Sequence, residues 1–337
     1  MKLTENSNNN INYLKRHYKT NDINSKYAVR MLHNILKRIN VRKSDYIKRD
    51  GIYVKVVPNT YFPIGIVDTI NNTAYKEYTI KLKKHKYNFL VKLYSKSDVN
   101  IQPYIKKIKT ILLLFIHYKP IHSKKYHNVT IYLTDIPKKH TTVPIKMDNI
   151  NSGFSQNNHI VIFIRDEWFK VFIHECIHLF EFDFHSHTDF SELGQYFKID
   201  SEILLFEAYT EFWARIINVC IISFDKTFRR FNLNFKRHIK MEQLYSAVTA
   251  KKILTQYNME YTDLLVPNSY TEETNTFCYY ILTSLLFYYF DDTISFFVSN
   301  NKNILDFNNK KIQLFIDYVI VKHNNPEWIS YMNQLKH

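Results

Sequence analysis

Val171-Phe172-Ile173-His174-Glu175-Cys176-Ile177-His178-Leu179-Phe180 is the stretch on which the reading of this 337-residue chain turns. It carries H-E-x-x-H inside an apolar run. Residues four apart on an α-helix lie one turn above each other on one face, so His174 and His178 can take two corners of a zinc tetrahedron. Glu175, beside them, is placed to take a proton from a water at the metal. With 15 His in 337 residues, the pattern arises by chance in roughly a few per cent of such chains. Context therefore has to decide. Asp166 is the expected N-cap, Glu167 falls in the first turn, and neither Gly nor Pro interrupts Glu167 to Phe182. Trp168, Val171, Phe172, Ile173 and Ile177 make most sides apolar, which predicts burial. Two imidazoles and a carboxylate in a buried helix are costly unless something binds them. Two core histidines bonded to backbone are the competing reading.

Three spacings are open for a third ligand. The metzincin form needs Gly and His where this chain has Glu181 and Phe184, and His185 is one place out of register. A near ligand would be Asp183 or one of His185 and His187, where the helix should be ending. The remaining option is Glu207, in a predicted helix over Ser201 to Ala214 with Asp200 or Ser201 as N-cap. Glu207 and Glu211 are four apart, and like charges so placed destabilise a helix by roughly a few tenths of a kcal/mol unless a cation lies between them. Glu207 is accordingly assigned as the third ligand. Glu211 is assigned as a carboxylate that orients a zinc histidine through its other ring nitrogen. The alternative is that Glu211 pairs with Arg215 while Glu207 faces solvent.

H-E-x-x-H followed by a helix with E-x-x-x-E is similar to the gluzincin branch of the zincin metallopeptidases. Glu207-Ala208-Tyr209-Thr210-Glu211-Phe212 looks most like the third-ligand helix of lethal-factor-type peptidases. Asn151 to Ser155, His159 to Ile164 and Glu167 to Glu175 together resemble uncharacterised H-E-x-x-H proteins of nucleocytoplasmic large DNA viruses. The likeness spans roughly residues 128–215, and its specific part is the metal motif. It implies Zn²⁺ and hydrolysis of a peptide or protein substrate.

The formal charge of +15 favours an anionic partner, either nucleic acid or acidic protein. The charge is scattered, however, through Lys81 to Lys86, Lys106 to Lys109, Lys138-Lys139-His140, Arg229-Arg230 and Lys236-Arg237-His238, and reads foremost as solvated surface. Cys176, Cys220 and Cys278 are odd in number and far apart, which predicts a reducing compartment: the host-cell cytoplasm or a virion. Met1 to Asn6 lacks a signal-peptide core, and Thr274 to Phe290 is too short and polar for a span, so no transmembrane segment is expected. With 16% aromatics and only 4 Gly, codon bias is as good an explanation as physics for the many Tyr and Asn.

An Asn-rich arm is expected over residues 1–25. An α+β lobe over 26–182 follows, with a helix at Lys26 to Asn40 and strands at Ile52 to Val57, Tyr75 to Leu82 and Tyr87 to Tyr94. A helix at Ile101 to Tyr118, strands at Val129 to Thr134 and Ile160 to Ile164, and an edge strand near Asn151 to Ser155 complete it. This order fits a zincin-like mixed sheet carrying the active-site helix. An edge strand there could pair with an extended peptide, and Gly153 would let its backbone approach closely. A mainly helical lobe over 183–337 should hold helices near 241–257, 271–290, 294–298 and 311–323. Tyr196, His185 and His187 are the candidate donors to an oxyanion, with Tyr196 preferred. The expected activity is a zinc metallopeptidase with Glu175 as general base. Its rival is a basic structural or nucleic-acid-associated virion protein whose zinc staples helices.

Overall fold

A computed structural model describes residues 23–24, 26–39, 41, 44–119, 125–137, 143–184 and 188–335. Nearly all of the expected arm, the Lys138-Lys139-His140 run and the His185/His187 pair fall outside them. Along the chain come α1 (Lys26–Arg38), β1 (Ile47–Tyr53), α2 (Ile64–Asn71), β2 (Ala74–Lys84), β3 (Tyr87–Ser95) and α3 (Ile101–Tyr118). Then follow β4 (Lys125–Leu133), the single turn α4 (Met147–Ile150), β5 (Gly153–Gln156), β6 (His159–Ile162) and α5 (Trp168–Leu179). The rest is helical: α6 (Leu205–Ser223), α7 (Phe228–Gln256), a π-helical turn (Phe277–Leu282) running into α8 (Thr283–Tyr288), α9 (Phe290–Asn300), α10 (Ile312–His323) and α11 (Pro326–Gln334).

Two compact units divide these elements: residues 35–140 with 147–182, and residues 1–34 with 141–146 and 183–337. The first is α+β. Its six strands run in the order β1-β2-β3-β4-β6-β5. The β3/β4 and β4/β6 pairs are parallel and the others antiparallel, so the sheet is mixed. Parallel pairing of β3 with β4 requires a crossover, and α3 supplies it. Asn100 caps α3 by accepting from the Gln102 amide. Phe89, Val91 and Leu93 of β3 with Val129, Ile131 and Leu133 of β4 are buried at the two-residue spacing that puts them on one face of each strand.

Several boundaries differ from expectation. The first strand starts at Ile47, and its bulge between Arg49 and Ile52 holds Gly51 at φ +67°, a conformation that glycine adopts without strain. Helix α2 was not expected; it is one eight-residue segment that buries Ile66, Val67 and Ile70. Helix α5 begins at Trp168 with Glu167, not Asp166, in the cap position and no side-chain cap bond. It stops three residues short of Phe182 because Glu181 turns left-handed at φ +55° while the Phe182 amide bonds back to the Ile177 carbonyl.

In the helical unit α6 starts at Leu205, later than predicted; Ser201 is not its cap but accepts instead from the Glu272 amide. Helix α7 begins at Phe228, well before 241, and buries Phe231, Phe235 and Ile239 on one stripe. Residues 26–34, placed by sequence in the first lobe, group here with 183–337. The contacts explain it: the His33 Nε2 donates to the Asp225 carbonyl at 2.8 Å, its ring lies 4.7 Å from that of Phe231, and Arg30 sits over Phe228. No single helix among the described residues is long and apolar enough to cross a membrane; the pair 277–288 and 290–300 passes by length and composition but is bent by 97°.

Candidate metal centre

The four-residue spacing on α5 brings the two imidazoles together as helical geometry requires. Nε2 of His178 lies 3.1 Å from Nε2 of His174, with the ring planes at 73°. Two nitrogens at zinc-ligand distance on a tetrahedral centre sit about 3.3 Å apart, so the pair is near the spacing a shared cation needs. His174 is buried, and His178 is half-buried. Glu207 enters from the first turn of α6, and the three ligand atoms of His174, His178 and Glu207 all lie within 4.8 Å of one another. Among the described residues this is the group of His, Cys, Asp and Glu side chains that could hold a metal ion, and Asp183 is not in it.

Two imidazole nitrogens and one carboxylate oxygen are a donor set that zinc accepts, and they leave one tetrahedral position over. Glu207 does not face solvent; it is 8% exposed, and Asn275 Nδ2 donates to its Oε1 at 3.3 Å. Sequence reading missed Asn275, which is 68 positions away and carries no motif. Glu175, on α5 between the two histidines, is buried.

Glu211 is deeply buried, and its Oε1 accepts from Arg215 Nε at 2.8 Å. Arg215 Nη1 donates on to Ser246 Oγ. Burial works against the Arg215 charge, yet Glu211 and Glu242 hold its pKa above the ordinary value. The structure thus combines parts of both sequence readings: Glu211 takes the arginine, while Glu207 joins the histidines. Tyr196 follows a 3₁₀ turn (Ser191–Gln195), is half-buried, and sets its ring 5.3 Å from that of His323; it is outside the triad. Burial raises the Cys176 thiol well above its usual pKa, with the Glu175 charge adding to it, so Cys176 is an inert filler.

The edge position of β5 is as expected, and Gly153 also meets a packing constraint. A Cβ there would lie 2.7 Å from both the Val161 carbonyl oxygen and Val171 Cγ1. Glycine at 153 lets β5 pack against β6 and α5.

No family model, curated protein or solved structure matches this chain. The site is therefore read from its own chemistry.

Proposed function

We infer that the chain is a zinc-dependent peptidase, with His174, His178 and Glu207 as ligands. The observation that carries this reading is the convergence of Glu207 from α6 with His174 and His178 from α5, the helix that also holds Glu175, the residue type and position the hydrolysis needs. When bound, zinc would supply a Lewis acid that polarises a carbonyl and makes a water easier to deprotonate. Glu175 takes that water's proton and delivers it to the leaving amine. Its burial keeps the carboxylate out of competing solvent hydrogen bonds. Glu211, one turn beyond Glu207 and held by Arg215, is the proposed partner of an imidazole N–H, fixing the ring's tautomer. Tyr196 is the proposed donor to the tetrahedral oxyanion. Strand β5 pairs with β6 on one side as the outermost strand, and its other side suits an extended peptide, recognised through backbone more than sequence.

The test is Glu175→Gln in the full chain, assayed on a mixed peptide library with zinc content measured in parallel. The reading expects zinc retained and cleavage lost by a factor of about a hundred or more. Wild-type protein that carries zinc yet cleaves nothing would make the metal a structural staple instead.

A further inference from the structure

Two of the basic runs in the sequence meet in space. Lys81, Lys83 and Lys84 at the end of β2, and Lys109 from the middle of α3, line one half-open cavity of about 480 Å³. Lys109 Nζ donates to Ser44 Oγ at 2.7 Å, which tethers that side of the rim. The floor is aliphatic: Leu82, Leu112, Leu113 and Ile116, with Phe89 buried beneath. No acidic side chain is among the described lining residues.

Strand pairing explains why the cavity exists. The β1/β2 ladder ends at Ile47 opposite Thr79, so β2 runs on through Lys84 with no β1 residue beside it. Its last residues and α3 then enclose an unfilled space. Its volume falls within the range of small-molecule sites, which are mostly apolar with a few placed polar groups.

We propose that this cavity binds a phosphate-bearing amphiphile, with the lysines on the phosphate and the aliphatic floor on the apolar body. The site is independent of the zinc reading. Lysines from both β2 and α3 border the cavity, and lysine serves phosphate as a point charge. Nucleic acid fits less well: single strands need exposed aromatic faces for stacking, and the one aromatic here, Phe89, is 3% exposed. A duplex needs a long basic stripe rather than a cup with a greasy floor. The source is a lipid in a bilayer or a free phosphorylated amphiphile, and the same phosphate chemistry serves both.

The test uses the full chain and monomeric dihexanoyl phosphatidic acid, with inorganic phosphate and uncharged dihexanoyl glycerol as controls, read by calorimetry. The phosphatidic acid should bind at least about tenfold more tightly than phosphate, because its chains bury several methylenes. Lys84→Gln, at an exposed position, should weaken it by about fivefold, and Lys81→Gln, on the other face of β2, should weaken it less. Leu113→Asn should weaken the amphiphile and leave inorganic phosphate unchanged. Binding to phosphatidic-acid vesicles as well as to the soluble form assigns the lipid bilayer as source, and binding to the soluble form alone assigns a free metabolite. Equal affinity for inorganic phosphate overturns the proposal. So does binding to every anionic vesicle without the soluble form, or a lysine-sensitive oligonucleotide affinity without phosphatidic acid binding.

Discussion

His178 Nε2 faces His174 Nε2 across 3.1 Å. That distance serves two arrangements, an N–H···N hydrogen bond or two lone pairs directed at one cation. They differ in what a chelator does. With a cation, zinc should co-purify with the chain, and removing it should lower the melting temperature by several degrees, since a ligand at a thousandfold over its Kd stabilises by about 4 kcal/mol. Elemental analysis and calorimetry with and without chelator measure both. Glu207→Ala should reduce zinc affinity steeply and shrink the shift. Indifference of the melting temperature to both zinc and chelator would leave only the hydrogen bond.

Gly153→Ala should destabilise the protein by about 1–3 kcal/mol, the usual range for forcing a methyl into a filled space. One of the two atoms it would meet at 2.7 Å is the Val161 carbonyl oxygen, whose residue pairs with Phe154 in the β5/β6 ladder. Backbone in a ladder yields little, so adding Val171→Ala should recover only part of the loss. Denaturant unfolding of the single and double variants decides it. A neutral Gly153→Ala would mean that β5 moves aside easily.

Arg215→Leu should cost about 3–5 kcal/mol, because the Glu211 carboxylate would stay buried with its arginine gone. The guanidinium also lies 5.6 Å from the Tyr245 ring centroid and donates to Ser246 Oγ, so packing is lost with the charge. Changing Glu211 to Leu as well should restore stability relative to Arg215→Leu alone. A double-mutant cycle by urea unfolding tests the coupling. Simple additivity of the two losses would show that the pair does not act as a unit.

The sequence was most legible where one physical signal dominated. Helix α3 was read to the residue because the apolar spacing of Ile101 to Tyr118 stops just before a Pro. The proximity of His174 and His178 was readable from their four-residue spacing, whereas Glu207 lies on another helix and was chosen through the charge of Glu211, which the structure pairs with Arg215. Legibility failed where signals overlapped. The early start of α7 was hidden because Arg229-Arg230 and Lys236-Arg237 drew attention to charge, while Phe231, Phe235 and Ile239 mark the buried stripe between them. The end of α5 depends on Glu181 taking a left-handed turn without glycine, which no local residue announces. Asn275 and the Lys81 to Lys109 cavity depend on tertiary placement, which periodicity does not carry.

Glu272 provides a pH test of the helical unit. Its Oε2 accepts from the Tyr270 hydroxyl at 2.6 Å and from the Phe277 amide at 2.8 Å, the entry to the π-helical turn. Burial outweighs both bonds and lifts its pKa from 4.5 to about 7. The folded state therefore holds this proton more tightly than the unfolded chain does. Stability from that difference is fully present below about pH 4.5 and is lost as pH rises through about 7. Glu272→Gln keeps an acceptor but no titrating group, so its stability relative to wild type should be flat below pH 4.5 and rise from there to about 7, by at most about 3 kcal/mol. Urea unfolding of both proteins at steps across that window measures the difference. A parallel pair of curves would mean that Glu272 stays ionised in the fold and that its two donors outweigh its burial.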